Sequence, residues 1–241
     1  MSKAVLITGA GARIGAHLAA GLAEKGWAIA IHYNRSQGKA ESLADKINAA
    51  GGKAETVGAN LFVPQDVENL VERASQALGR PLTSLINNAS TFEDDSAQGF
   101  TNADLDYHMI VNLRAPLRLS QHFAAQLSQG QNGAIINMID QRVLRPDPTY
   151  FTYAISKSAL YAATKTMAQA FAPHIRVNAI GPGPTLQNKA QTESEFKEEA
   201  DSTLLGSGSA PDSLLQAALY LIEAESVTGQ MLTVDGGQHL A

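Results

Sequence analysis

The sequence predicts an α/β fold, one parallel sheet covered by helices on both faces, and three observations predict it. Short apolar runs alternate with helical patterns from one end of the chain to the other. The first run, residues 4–8, passes through a glycine turn, Thr8-Gly-Ala-Gly-Ala-Arg-Ile-Gly15, directly into a helical pattern. No linker, low-complexity tract or internal repeat divides the chain, so its 241 residues read as a single domain, 1–241. That length buries roughly 70–75% of the unfolded surface, enough for a core without staples.

Each element has its own signal. Residues 4–8 are an apolar run without alternation, as in a strand buried on both faces. Ile14, Leu18 and Leu22 recur at helical spacing, with Gly26 as the stop. Strand, glycine turn and helix in that order let a backbone approach a pyrophosphate at a helix N-terminus, although such turns also join strands to helices for steric reasons alone.

The second strand, Ala28–Tyr33, runs into Asn34-Arg35-Ser36. In a dinucleotide fold this strand end meets the adenosine ribose, where a carboxylate accepts from a 2′-hydroxyl and an Arg accommodates a 2′-phosphate. Here His32, Asn34, Arg35 and Ser36 offer donors and no carboxylate intervenes. The plainer reading is a polar loop, with Ser36 as N-cap of the helix that follows. Further helices are expected over 39–50 and 64–78, strands at Lys53–Gly58 and 83–87, and a long helical pattern over 102–127 interrupted by Pro116. Strands at 134–138, 175–180 and 230–234 complete the alternation, with helices from Thr149 to Ala172 and over 212–224. Residues 185–209, uneven and acidic, lie after a strand's carboxyl end, where a lid over a ligand would be built.

The stretch from Met138 to Lys157 carries the chemistry. Tyr153 and Lys157 are four apart, so a helix presents both from one face, and an ammonium near a phenol is expected to lower the phenol's pKa. Asp140, thirteen residues before Tyr153, reads either as a turn residue or as a carboxyl group folded back beside the phenol. Phe92, at a strand's carboxyl end, reads as packing under a loop or as a π-face for a flat ring. His108, His122 and His174 show no matched partners and read as packing or surface residues. Glu93-Asp94-Asp95 and Glu198-Glu199 read as solvated charges, and no spacing suits a metal.

Composition bounds the partners. The chain has no cysteine, which excludes disulfides and thiolate metal sites and suits a reducing compartment. A net charge of −5 with a pI near 5.7 argues against nucleic acid as a partner. No apolar run approaches the roughly 20 residues of a membrane span, and no charged leader precedes the first strand. A cytoplasmic protein acting on a small molecule is the expectation.

Several features stand together at fixed spacings: the 8–15 turn, Asn87-Asn-Ala, Asn112, Tyr153-x-x-x-Lys157, Arg176-Val-Asn-Ala-Ile-Gly-Pro-Gly183 and Val227-Thr-Gly…Val234-Asp-Gly-Gly237. Together they resemble the short-chain dehydrogenase/reductase family over essentially the whole chain. The resemblance implies a seven-stranded, three-layer Rossmann sheet, a nicotinamide cofactor and an Asn–Ser–Tyr–Lys catalytic group, of which Asn112, Tyr153 and Lys157 match three. The family's serine is Asp140 here, the middle glycine of the turn is Arg13, and the glycine after Asn-Asn-Ala is Ser90, followed by Thr91 and Phe92. These three departures resemble the pteridine reductase branch, as does His32-Tyr-x-Arg-Ser36, an NADPH-binding segment in that branch. The C-terminal Val234-Asp-Gly-Gly-Gln-His-Leu240 is similar to bacterial dihydromonapterin reductases of the same branch. Asn60, where the family carries an acidic residue near the adenine, fits neither pattern, although its amide oxygen is a possible acceptor.

Carried over residue by residue, the resemblance implies a catalytic group of Asp140, Tyr153, Lys157 and Asn112. It implies NADPH at Gly9, Arg13, Ile14, Gly15, His32, Asn34, Arg35, Ser36, Asn60, Leu61, Asn88, Ala89, Ser90, Tyr153, Lys157, Pro182 and Gly183. A pterin or folate-like substrate would lie among Arg13, Ser90, Phe92, Asp140 and Tyr153, and the protein would be a homotetramer. The expected reaction is hydride transfer to a C=N carbon of a pterin. A carbonyl reductase of the same fold is the first alternative, disfavoured because an ionised Asp140 would repel a developing alkoxide. A non-catalytic dinucleotide sensor is the second, disfavoured by retention of Tyr153 and Lys157.

Overall fold

The seven runs expected as strands form one sheet in a computed structural model that describes residues 3–128, 130–188 and 191–241. The strands are β1 (Ala4–Ile7), β2 (Ala28–Tyr33), β3 (Lys53–Gly58), β4 (Ser84–Asn87), β5 (Gly133–Met138), β6 (Ile175–Pro182) and β7 (Met231–Val234). Their spatial order is β3-β2-β1-β4-β5-β6-β7, every neighbouring pair parallel. Successive side chains leave opposite faces of a strand, so both faces of these apolar runs need cover. Leu6, Ala30, Leu85, Ile135 and Val177 face one layer, and Ile7, Ile31, Ile86, Ile136 and Ile180 face the other.

The helices supply that cover. On one side lie α1 (Arg13–Glu24), α2 (Gln37–Ala49) and α9 (Pro211–Glu223). On the other lie α3 (Pro64–Glu68), α4 (Leu70–Leu78), α5 (Asn102–Met109), α6 (Ala115–Gln126) and α7 (Phe151–Ala170). This is the predicted doubly wound, three-layer arrangement. The strand order reverses direction between β1 and β4, and the crevice outside their carboxyl ends is where such sheets bind ligands.

Four details correct the sequence reading. The helix expected over 64–78 divides at Asn69, whose side-chain oxygen accepts from Arg73. Pro116 does not interrupt the 102–127 pattern; it sits in the first turn of α6, and a π-helical turn, Ile110–Arg114, joins α5 to α6. Proline has no N–H for the carbonyl four residues back, so Asn112 loses its ordinary α-helical partner there. The uneven segment contains a helix, α8 (Glu193–Asp201), started by a capping box in which Thr192 and Glu195 bond each other's amides. Finally, α7 begins at Phe151 rather than Thr149 and ends at Ala170. Lys189 and Ala190, part of the expected lid, lie outside the described residues.

Candidate active site

The glycine turn leaves β1 and enters α1 without a side-chain cap. Gly9 has φ +65°, and a Cβ there would come within 3.0 Å of Ala89 Cα. Ala12 holds the N-cap position with no side-chain acceptor, so side chains leave the first amides of α1 free for an anion. Across the crevice, Asn88 Nδ2 donates to the Thr8 carbonyl at 2.8 Å, and the Thr8 hydroxyl accepts from the amides of Asn88 and Ala89 at 2.9 Å each. Ile14 packs beside the core next to Gly15. The ends of β1 and β4 are thereby locked into one cradle, with Pro182 and Gly183 closing the end of β6. A dinucleotide's pyrophosphate fits this donor set.

Four residues expected to contact the cofactor have other engagements. His32 is buried; its Nδ1 accepts the Gly9 amide at 2.9 Å and its Nε2 donates to the Ala59 carbonyl at 3.1 Å. It is therefore no free donor: it fixes the glycine turn from below. Asn60 uses its amide oxygen on the Phe62 amide at 3.1 Å, and Leu61 is buried in the core, leaving only its backbone for a ligand. Ser36 stands at the N-cap position of α2 but caps nothing. Its hydroxyl lies over Gly11 instead, where a Cβ would meet it at 2.5 Å. Asn34 and Arg35 beside it are exposed, so a cluster of donors faces solvent at the ribose end of the cradle.

Burial lowers the pKa of His32 from 6.5 to about 4. The native state keeps this ring neutral while the unfolded chain protonates near 6.5, so stability rises with pH across that interval. Acidification from pH 6.5 to about 4 should remove about 3 kcal/mol of stability through His32. Urea unfolding at the two pH values measures it, and His32→Gln should show a correspondingly shallower decline. An unchanged decline in the variant would assign the acid sensitivity to other groups.

The catalytic candidates converge at the carboxyl ends of β4 and β5. Asp140 follows β5, and its Oδ1 accepts the Arg142 amide at 2.9 Å while its Oδ2 accepts the Tyr153 phenol at 2.7 Å. The carboxyl group thus stands beside the phenol, thirteen residues apart in sequence. Lys157, one turn along α7, is buried and donates to the Met138 carbonyl at 2.8 Å. Asn112, in the π-helical turn, accepts the Thr91 amide at 2.8 Å and donates to the Thr91 carbonyl and the Ser156 hydroxyl. Ser90 donates to the same Asn112 oxygen at 3.1 Å. Asn112 therefore clamps the loop that carries Ser90 and Phe92.

The expected downward shift of the phenol is reversed. Burial holds the Tyr153 pKa well above 10, and the Asp140 charge and hydrogen bond push the same way. The Lys157 ammonium lies 5.7 Å from the ring centre and does not overcome those effects. Lys157 itself falls from 10.5 to about 8, again through burial, partly opposed by Asp140. Asp140 is raised above 3.8 because desolvation outweighs its hydrogen bonds and the Arg142 and Lys157 charges. The site therefore holds a protonated phenol that donates to a carboxyl group made a weaker acid by burial, a pair between which a proton can pass.

Phe92 is part exposed and stacks on Tyr150, the ring centres 4.0 Å apart and the planes at 16°. It also meets Tyr153 edge-on at 4.7 Å. Tyr150 takes a left-handed conformation, φ 52°, and Arg142 lies 5.4 Å over its ring. Arg13, exposed with φ 54°, donates to the carbonyls of Leu186 and Gln187 at 3.0 and 2.7 Å, linking the turn to the segment after β6. Sequence reasoning missed Tyr150 and Arg142, although both lie inside the 138–157 stretch. It also read His108 as unpartnered and Asp95 as a solvated charge, whereas His108 is fully buried and bonds Thr152, which in turn bonds Asp95. Glu199 is likewise engaged, accepting from Gln191 and Gln238.

A dinucleotide cradle beside a Tyr–Lys pair defines an oxidoreductase of the Rossmann type. The short chain dehydrogenase model matches residues 3–198, and the chain belongs to that family. It is 32% identical over 98% of its length to an uncharacterized oxidoreductase of Methylorubrum extorquens, covering 97% of that protein. It superposes with a TM-score of 0.96 on FolM alternative dihydrofolate reductase 1 from Brucella canis, solved with NADP, at 41% identity, covering 99% of this chain and 94% of that one. It also resembles the angucycline C-6 ketoreductase LanV with bound NADP, TM-score 0.91 and 29% identity, covering 99% and 96% of the two chains. No helix among the described residues is long and apolar enough to cross a membrane.

Proposed function

We propose that this chain is an NADPH-dependent reductase of a pterin C=N bond, converting a dihydropteridine, or dihydrofolate, to its tetrahydro form. The observation that carries this reading is the 2.7 Å hydrogen bond between Tyr153 and Asp140, beside the Phe92 ring. The likeness to an alternative dihydrofolate reductase crystallised with NADP supports it. NADPH, when bound, supplies the hydride.

The protein's own residues do the rest. The α1 amides and Asn88 region hold the pyrophosphate, and Arg35 and Ser36 meet the 2′-phosphate. Arg13 has guanidinium donors beyond the two given to the lid carbonyls, and these suit a phosphate or a pterin. Phe92 provides a π-face for the substrate ring. Tyr153 passes a proton to the ring nitrogen and is resupplied by Asp140, while Lys157 keeps a positive charge near the pair. Asn112 positions the 90–92 loop and contributes its carbonyl, relieved of its helical partner by Pro116, to a proton-relay water.

Steady-state NADPH oxidation with dihydrobiopterin, dihydromonapterin, dihydrofolate and a β-ketoacyl thioester tests the assignment. Turnover of the thioester alone would replace it with a carbonyl reductase, the reading that the ketoreductase likeness favours. Phe92→Ala should raise KM for the pterin several-fold, since stacking contributes about 0.5–1.5 kcal/mol beyond area burial. Cofactor affinity should barely change in that variant; unchanged pterin kinetics would return Phe92 to a packing role.

The same reading carries a homotetramer. β7 is an edge strand, and Leu232 on it and Tyr220 on α9 are exposed, as are Phe62 in the turn before α3 and Tyr107 on α5. Light scattering at micromolar concentration should give about four times the 25.4 kDa chain mass, and a monomeric mass would reject the assembly.

A further inference from the structure

The loop bearing Phe92 is tied to α5 and α7 through one buried imidazole. His108, on α5, is fully buried. The Glu93 amide, one residue past Phe92, donates to His108 Nε2 at 3.2 Å. An amide N–H can only donate, so Nε2 is unprotonated and the neutral ring carries its hydrogen on Nδ1. Nδ1 lies 2.7 Å from the Thr152 hydroxyl, which passes its own hydrogen to Asp95 Oδ2. Asp95 Oδ1 also accepts the Thr152 amide at 3.0 Å, in the first turn of α7, immediately before Tyr153. Every donor and acceptor in the chain Glu93 amide, His108, Thr152, Asp95 is matched in direction, so the network specifies a single tautomer.

We propose that His108 is a positioning residue for the reaction: it holds the Phe92 platform at its edge-on distance from Tyr153, and protonation of His108 releases that platform. The first half rests on the pterin reading only for its kinetic consequence; the anchoring of Phe92 is a property of the protein alone. The second half follows from the geometry. An imidazolium has no acceptor, so a proton on Nε2 would face the Glu93 N–H, and the loop would lose its bond to α5.

The charges around the ring oppose each other. Asp95 and Glu93 on the loop and Asp104 one turn earlier on α5 favour the cation, while burial disfavours it and prevails, leaving His108 below its ordinary 6.5. The neighbouring Tyr107 and Tyr153 rings lie 6.3 and 6.1 Å from the imidazole. The platform is therefore held at neutral pH and released only on acidification below about 6.5.

The test uses 4-fluorophenylalanine placed at position 92 and read by fluorine NMR without substrate. One dominant resonance is expected from pH 8 to 7, moving or broadening on acidification in step with the His108 imidazole signals. His108→Phe, which keeps a ring and removes the acceptor, should show the low-pH spectrum at pH 7.5; Thr152→Val, which keeps the imidazole, should shift the midpoint. In kinetics with dihydrobiopterin, His108→Phe should raise KM about three- to tenfold with a smaller change in kcat, and should add less than twofold in a Phe92→Ala background. A Phe92 resonance indifferent to pH and to both variants, or kinetic effects of His108→Phe and Phe92→Ala that multiply, would overturn the proposal. If the fluorine results hold and no pterin is turned over, the positioning stands and the pterin assignment fails.

Discussion

Asp140→Ser lowers kcat on a dihydropterin by about 10²–10⁴-fold, the usual worth of general acid catalysis, while leaving NADPH affinity unchanged. A serine hydroxyl can bridge to Tyr153, but it has no proton to release at working pH. Asp140→Asn keeps the shape, and its side-chain oxygen can still accept the Arg142 amide as Asp140 Oδ1 does at 2.9 Å. It should be as damaging, because it removes the proton and puts an amide donor where Asp140 Oδ2 accepts the Tyr153 phenol. The structure adds a second readout with the opposite sign. Asp140 has a pKa raised above its unfolded value of 3.8, so the native state disfavours the ionised carboxylate. Stability from this group is fully present below pH 3.8 and declines as pH rises through the raised pKa. At neutral pH burial of this carboxyl group therefore costs stability, and Asp140→Asn should raise the melting temperature while it abolishes most turnover. Stopped-flow reduction of dihydropterin and a thermal melt on the same variant check both. Parent-like turnover in Asp140→Ser would make the carboxyl group structural and remove the main chemical support for a pterin substrate.

The sequence displayed the sheet because apolar runs such as residues 4–8 and Ala28–Tyr33 are buried on both faces, where periodicity and length alone reveal a strand. It displayed the Tyr153–Lys157 pair because four residues is one helical turn. What it hid depends on distance and burial. The Tyr153 pKa was misjudged because spacing shows the ammonium but not the desolvation that outweighs it. Asp140 posed the same contest, desolvation against neighbouring charge, and only packing ranks the two. His108 seemed unpartnered because Thr152 is forty-four residues away in sequence. Pro116 suggested a break because a proline's missing N–H usually ends a helix; a π-helical turn absorbed it. The capping box of α8 was legible at Thr192 and Glu195, but no apolar face accompanied it, and none of the residues in α8 is buried.

NADPH should be used about 10²–10⁴-fold more efficiently than NADH, measured as kcat/KM. Two charge-assisted hydrogen bonds to a 2′-phosphate, at about 1.5–3 kcal/mol each, give that range. In the proposed mode Arg35 and the Ser36 hydroxyl would be the donors, and β2 ends without the carboxylate that would accept from a ribose 2′-hydroxyl. The removal of His32 from the donor set, its ring being held between Gly9 and Ala59, places the whole preference on residues after β2. Arg35 is exposed, so its contribution is screened by salt and lies toward the lower end of the range. Ser36 lies over Gly11, where the approach is close enough to exclude a Cβ, and its contribution should resist salt. Raising ionic strength from 50 to 500 mM should therefore narrow the preference without erasing it. Arg35→Asp supplies the missing carboxylate and an opposing charge, and should lower kcat/KM for NADPH by at least 10²-fold while that for NADH holds or rises. Comparable efficiencies for the two cofactors in the parent protein would defeat the assignment. A preference unchanged in Arg35→Asp would shift it to Ser36 and the backbone amides at the start of α2.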